Sequence, residues 1–468
     1  MSDAGEGVQE GGVSSLIEEL RAIVGERGLL LGPDASMRSC DPFREVTPAL
    51  AAIVRPGSTM ELSSVMALCT RWKRPVVIQG GRTGVVGGAY ARDGDFVISL
   101  ERMNAIEGID PIGQVAVVQA GATMEAVQDA VAAHDMLYPV DLGSKGSATI
   151  GGTIATNAGG NRALRWGVTR ANILGLEAVL ADGTVVDAMN RMIKNNTGYD
   201  VKQMLIGSEG TIGIVTRAVL KLVPAPRTQR AAFVAVPDFA ALLELLKRAR
   251  RMQILSAFEV MWRDYYDLVA DNDATRRPIS CGHPYYVLME AMGYHEAADT
   301  AAFEALLESA FRSGLIADAV IASSGRQISE LWRVREGSEI IVKEMNPFIA
   351  FDISVDIGRA EAFVDAVKAA ISDIFACSRF VSFGHLGDNN LHLGVHVGPD
   401  TRLHGRKIED IVYGVVADFE GELTAEHGIG QFKREYLPQH VSTGAFACMK
   451  RIRRAMDADG LLNPDVLF

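Results

Sequence analysis

Glycine is distributed very unevenly along this 468-residue chain, and that distribution constrains the fold more than any other feature. Of 47 glycines, 22 fall between Gly80 and Gly213, under a third of the length. They concentrate in QGGRTGVVGG (79–88), DLGSKGSATIGGTIATNAGGN (141–161) and GSEGTIGI (207–214). A backbone without Cβ lets its N–H groups approach and encircle an anion. One such segment reads as tight turns; three in one region, each after a strand-like run, read as phosphate-binding loops. Neither the G-x-G-x-x-G of a Rossmann turn nor the G-x-x-x-x-G-K-[ST] of a P-loop stands in the first segment. Nests in series therefore suit a long, extended dinucleotide such as FAD better than NAD in a Rossmann fold.

Composition supports a folded enzyme-sized chain. Hydrophobic residues make up 48% and charged residues 22%, enough for sizeable cores and too apolar for disorder. The net charge of −12 argues against nucleic acid as a partner. The N-terminus has no basic and apolar leader pattern, and no apolar run reaches membrane-spanning length. Five scattered cysteines (Cys40, Cys69, Cys281, Cys377, Cys448) contain no C-x-x-C pair. They are expected as buried thiols in a cytoplasmic protein, with no iron–sulfur cluster on the chain.

Two domains are expected. Residues 1–224 alternate short apolar strands with helices near 59–73 and 123–134, and a hairpin at 174–186 turns on Asp182-Gly183, both with positive φ. Pro224-Ala225-Pro226 breaks the pattern. Strand–helix–strand units then recur over 225–424, predicting an antiparallel sheet with helices on one face, an α+β domain. Residues 331–344 read as one helix and 402–420 as another, with Glu426 and His427 at the latter's end. Residues 425–468 are expected to return to the first domain.

The three glycine segments, together with KNNTGYDVKQMLIGSEGTIGI (194–214), closely resemble the FAD-binding domain of the vanillyl-alcohol oxidase/p-cresol methylhydroxylase superfamily. The similarity runs from about Ala49 to Phe468 and identifies the chain with its D-2-hydroxy-acid dehydrogenase group, which includes D-2-hydroxyglutarate dehydrogenase, D-lactate dehydrogenase and the flavin subunit of glycolate oxidase. The resemblance implies an α+β chain with a VAO/PCMH-type FAD-binding domain and an α+β substrate (cap) domain. It places Gly80, Gly81, Arg82, Thr83, Gly84, Gly87 and Gly88 along the FAD pyrophosphate. Asp141, Lys145, Gly146, Ser147, Gly151, Gly152, Thr156, Asn157 and Gly160 would wrap the flavin side, with Glu209, Gly210 and Ile214 nearby. Neither of the first two segments holds a histidine, so FAD is expected to be non-covalent.

Five of nine histidines (His385, His392, His396, His404, His427) sit within 43 residues. GHLGDNNLHLGV sets His385 and His392 seven apart, and TAEHGIG joins Glu426 to His427. Two imidazoles and a carboxylate suit a borderline divalent cation, Zn²⁺ first, with Mn²⁺ or Co²⁺ as alternatives. The resemblance implies His385, His392 and Glu426 as its ligands. A neutral His427 would then remove the substrate hydroxyl proton while the C2 hydrogen leaves as hydride to flavin N5. His396 shares a strand face with His392 and is read as structural, and His404 as a surface residue opening a helix.

Arg335 is the position that resembles the family's carboxylate-binding arginine, a planar fork matched to a carboxylate. Three neighbouring positions depart from D-2-hydroxyglutarate dehydrogenases. Glu339 replaces a threonine, Ala350 a lysine and Gly394 an asparagine. Losing one partner of a charged hydrogen bond removes about 1.5–3 kcal/mol. The expected substrate is therefore D-lactate or a larger D-2-hydroxy monocarboxylate, with D-2-hydroxyglutarate, or service as the flavin subunit of a multisubunit glycolate oxidase, as alternatives. Electrons would pass to a separate acceptor, such as an electron-transferring flavoprotein, a quinone or a partner subunit; a homodimer is compatible with the sequence.

Overall fold

The computed structural model describes residues 6–37, 48–270, 272 and 276–468, with side chains from residue 13 onward; Cys40 lies outside the described residues. The chain divides into two units. One comprises residues up to Ala158, Val168–Ala225 and His427–Phe468; the other gathers Gly159–Gly167 with Pro226–Glu426. The nine residues 159–167, expected in the first domain, thus pack with the second.

In the first unit, short runs of β-branched residues make strands buried on both faces. Ala52–Val54, Phe96–Ser99 and Val76–Gln79 pair in parallel, with Leu29–Leu30 antiparallel at the edge. Ser58 caps the helix Thr59–Arg71 by accepting from Glu61 N, and the helix buries Leu62, Val65, Met66 and Cys69. A second, antiparallel sheet runs in the order Ile106–Asp110, Val115–Gln119, Ile214–Lys221, Ile173–Val179, Val185–Ala188. Both sheets contribute to one core that includes Val54, Ile98, Val118, Ile154, Leu176 and Ile214. The hairpin between Val179 and Val185 turns on Gly183 alone at φ +88°; Asp182 keeps negative φ and instead accepts from Thr184 N. The C-terminus joins this unit by an isolated parallel bridge: Val76 N donates to Leu461 O, and Asn463 N to Val76 O.

The second unit is a seven-stranded antiparallel sheet in the order Asp318–Ile321, Thr228–Val236, Tyr285–Gly293, Leu255–Trp262, Arg379–Gly384, Asn390–His396, Ile349–Ser354. The strands Leu255–Trp262 and Tyr285–Gly293 are buried along their whole length. Helices cover both faces rather than the one expected. Phe239 packs on Tyr285 and Tyr413 on Phe351, placing the helices Phe239–Ala249 and Gly405–Asp418 on one side. On the other, Tyr265, Tyr266, Leu331, Val334, Ile340 and Ile341 pack on Phe233, Met261, Tyr286 and Leu288. The largely apolar strand sequence carries no sign of which face stays open.

The expected helix 331–344 is two helices, Gly325–Arg335 and Ser338–Met345. The break has a local cause. A Cβ on Gly337 would lie 2.6 Å from Val269 Cγ1, and Tyr265 Oη donates toward the Val334 and Arg335 carbonyls while accepting from Gly337 N. No helix among the described residues is long and apolar enough to cross a membrane. Of the described cysteines, all free thiols, Cys69 is buried and Cys281 half-buried, whereas Cys377 and Cys448 are exposed, contrary to expectation.

Candidate functional site

In the first unit, two of the glycine loops lie against each other. Gly80 follows the strand Val76–Gln79, and a Cβ there would meet Thr149 Oγ1 at 2.5 Å; one on Gly81 would overlap the Ser147 carbonyl. Only glycine permits this approach. Further along, a Cβ on Gly84 or Gly143 would meet nothing within 4 Å. Closely apposed backbone beside open space fits a narrow dinucleotide lying between loops. Arg82 turns the first loop at φ +56°, with Thr83 half-buried behind it. Asp141 and Lys145 form a 3.8 Å ion pair across the second loop. Gly146 and Ser147 stay exposed there, and Gly88 lies half-buried.

Several candidates are structural. Gly87 adopts φ +76° and a Cβ there would strike the Phe432 ring at 2.7 Å. Gly151 backs onto Ala120, and Gly152 N donates to Thr149 Oγ1 at a helix start. Thr156 Oγ1 donates to Gly152 O at 3.1 Å, and Asn157 ends that helix in the left-handed region with Oδ1 accepting from Arg170 N. The Ile214 side chain is part of the core, 1% exposed.

Glu209 also differs from expectation. Its carboxylate is buried and accepts from Ile429 N at 2.8 Å and Gly430 N at 2.7 Å, fastening the segment that follows His427. A Cβ on Gly428 would come within 3.0 Å of that carboxylate, and one on Gly210 within 2.9 Å of Asn463 Nδ2. Burial pushes the Glu209 carboxyl above its ordinary range, though the two N–H groups and Lys433 pull it back.

In the second unit, three candidate ligands converge. Ligand atoms of His385, His392 and Glu426 lie within 4.8 Å of one another, and His385 Nε2 is 3.9 Å from Glu426 Oε2. His392 stands on the strand Asn390–His396; His385 caps the turn Leu386–Asp388 just before it. Glu426 comes from an irregular segment beyond the helix Gly405–Asp418, which stops short of the expected residue 420. That segment is oriented by Asp352, a fully buried carboxylate that sequence reasoning missed. Asp352 Oδ2 accepts from Ala425 N, Glu426 N and Thr424 Oγ1, while Oδ1 accepts from Asn390 Nδ2 and lies 3.7 Å from His392 Nδ1. Gly160 belongs here too, since its N–H donates to Glu426 Oε1 at 2.7 Å and steadies a candidate metal ligand. Two half-buried or buried imidazoles and a half-buried carboxylate converging in this way form a donor set that fits Zn²⁺, Mn²⁺ or Co²⁺.

Arg335 is buried, 7% exposed, and next to this cluster. Its Nε donates to Glu259 Oε2 at 2.8 Å, its guanidinium lies over the Phe383 ring at 4.8 Å, and Nη2 is 3.4 Å from His385 Nε2. The Glu259 carboxylate pairs with His385 Nδ1, which favours a proton on that nitrogen; Nε2 is the nitrogen that a cation would take in exchange for its proton. Burial opposes the charge on His385, but Glu259 and Glu426 outweigh it and push the imidazole up to about 9. Asp388 on the same turn is pushed up to about 7 by burial, against the pull of His385.

Glu339, Gly394, His396 and His404 are not among the converging ligand atoms. Glu339 is solvent-exposed in the first turn of Ser338–Met345, where the helix dipole favours an acid. Gly394 is buried in its strand, where a Cβ would meet Val381 Cγ2 at 2.7 Å; Ala350 pairs across from it. His396 Nδ1 donates to the Pro347 carbonyl, and exposed His404 precedes Gly405–Asp418. His427 is half-buried and belongs to the first unit.

Comparison with known proteins fits both descriptions. Residues 225–467 match the model of the C-terminal domain of FAD linked oxidases, and residues 50–189 match an FAD binding domain. The chain is 37% identical to D-2-hydroxyglutarate dehydrogenase of Xanthomonas citri pv. viticola over 434 residues, covering 92% of this chain and 91% of the relative. It is 32% identical to a mitochondrial protein of Schizosaccharomyces pombe provisionally named D-lactate dehydrogenase, covering 96% and 89%. The crystal structure of p-cresol methylhydroxylase with substrate bound shares the fold, with a TM-score of 0.76 at 16% identity over 97% of this chain and 96% of that one.

Proposed function

Because the chain belongs to the FAD-linked oxidases, in the D-2-hydroxy-acid dehydrogenase group, we propose that it converts a D-2-hydroxy acid to the 2-oxo acid with bound FAD and one divalent cation. The observation that carries this reading is the convergence of His385, His392 and Glu426 beside the buried guanidinium of Arg335. When bound, FAD supplies a two-electron acceptor and the cation a Lewis acid for the substrate hydroxyl.

The chain's own residues account for the rest. The Gly80–Gly88 and Gly143–Gly152 loops would hold FAD, and His385, His392 and Glu426 the cation. Glu259 takes the Nε of Arg335, and the terminal nitrogens, of which Nη2 now faces His385 Nε2, would turn to the substrate carboxylate. His427, the residue after Glu426, takes the hydroxyl proton as the C2 hydrogen departs with its electron pair. The electrons then go to a separate acceptor, such as an electron-transferring flavoprotein, a quinone or a partner subunit.

A D-2-hydroxy monocarboxylate is the preferred substrate. Ala350 and Gly394 oppose each other on the same sheet face as Asp352 and His392 and offer no donor for a second carboxylate. D-2-hydroxyglutarate is the competing reading, favoured by the name of the Xanthomonas relative. Turnover with an artificial dye across D-lactate, D-mandelate, D-malate, D-2-hydroxyglutarate and glycolate decides between them. Preference for D-lactate or D-mandelate supports the monocarboxylate reading; tight preference for the dicarboxylates overturns it, and inertness toward all five overturns the activity.

A further inference from the structure

We infer that Glu259 is a positioning residue that couples the metal ligand His385 to the carboxylate clamp Arg335, so that cation and substrate are aligned by a single buried carboxylate. This rests on the proposed metal and substrate roles.

Glu259 stands in Leu255–Trp262, a strand whose eight residues are all buried and of which it is the one charged member. It is 1% exposed. A carboxylate in such a place is strongly disfavoured unless paired and fully hydrogen-bonded. Its partners are specific. Oε1 and Oε2 lie 2.9 and 2.8 Å from His385 Nδ1, and Oε2 also accepts from Arg335 Nε. Neither partner is near in sequence: His385 is 126 residues away and Arg335 is 76.

The arrangement solves two problems together. A carboxylate on Nδ1 fixes the imidazole's rotation and tautomer, directing the Nε2 lone pair toward Glu426 and raising the ring's basicity as a ligand. The same carboxylate provides negative charge between Arg335 and the cluster. Arg335 Nη2 is only 3.4 Å from the His385 nitrogen that would bind the cation. Without Glu259, a guanidinium and a divalent cation would face each other across that gap with no countercharge on the strand beneath.

Co²⁺ titration of the FAD-loaded chain tests this without relying on turnover, because the d–d spectrum reports nitrogen ligation directly. The parent should bind Co²⁺, with affinity lost in His385→Ala. Glu259→Gln, nearly isosteric, should bind Co²⁺ about 10- to 100-fold more weakly with an altered spectrum and unchanged flavin content. In turnover, KM for the 2-hydroxy acid should rise as well as kcat fall, since Arg335 is released. Glu259→Asp should restore part of both.

Glu259→Gln with parental Co²⁺ affinity and spectrum overturns the coupling while leaving the metal reading standing. A parent that takes up no Co²⁺ overturns the metal reading and the coupling with it. If Glu259→Gln fails to fold, Glu259→Gln/Arg335→Gln removes both buried charges. Its Co²⁺ affinity should still fall below that of Arg335→Gln alone, and equality of the two overturns the inference.

Discussion

The two units solve the problem of holding a charged group by opposite means, and their buried glutamates make the contrast concrete. Glu209 is held by the backbone N–H groups of Ile429 and Gly430, and burial leaves its carboxyl raised. Glu259 is held by two basic side chains; burial raises it too, but His385 and Arg335 outweigh that and hold it below the ordinary range. The first unit works mainly through backbone made accessible by glycine. The second works through side chains brought together by a sheet. Backbone dipoles tolerate a carboxylate; full charges ionise it.

If that division is right, damage should be separable. His392→Ala should lower turnover by about 10³-fold or more, equivalent to several kcal/mol of lost Lewis-acid assistance, while metal content falls and flavin absorbance is kept. Loss of flavin along with metal would break the division. Glu259→Ala should destabilise the second unit by about 3–5 kcal/mol, read by denaturant unfolding, because it leaves Arg335 buried with its main ion-pair partner gone. Gly81→Ala should do the converse of His392→Ala. Its new Cβ overlaps the Ser147 carbonyl, so about 1–3 kcal/mol of strain falls on the flavin loops, and flavin should be lost on gel filtration while Co²⁺ binding persists.

The smallest effect is in the pH dependence, where the signs oppose. A carboxyl raised in the folded state contributes stability below its unfolded value and loses it as pH rises through the folded value. A lowered one contributes above the unfolded value and loses it as pH falls through the folded value. As pH rises from about 4.5, the melting temperature of the parent relative to Glu209→Gln should therefore fall. As pH falls below about 4.5, the parent should lose stability relative to Glu259→Gln. Calorimetry checks both, and slopes of one sign for the two variants would contradict the contrast.

Legibility in the sequence followed the same line. The glycine loops and GHLGDNNLHLGV were readable because their pattern is local: a nest needs consecutive backbone, and two candidate ligands seven residues apart share one turn and strand. Glu259 was not, because AFEVMW reads as a core strand and its partners lie far along the chain. Asp352 was passed over for the same reason, its role being to fix Glu426, 74 residues away, through backbone N–H groups. Ile214 is buried in the core and Glu209 holds backbone N–H groups, because a motif marks a neighbourhood without distinguishing the residues that face a ligand from those that support it. The segment Gly159–Gly167 crosses to the second unit through Arg162, which reaches Glu290, and Arg165, which donates to the Ile254 and Met292 carbonyls. No local pattern encodes those anchors.

The central claim is that a cation held by His385, His392 and Glu426 is required for a D-2-hydroxy acid to reduce the flavin. Anaerobic stopped-flow mixing of the FAD-loaded, chelator-stripped chain with D-lactate and the other acids, before and after Zn²⁺ or Co²⁺ is restored, measures it directly. The account predicts flavin bleaching by a D enantiomer only after metal is restored, with no such restoration in His392→Ala. Bleaching at the full rate in the metal-free chain would contradict it.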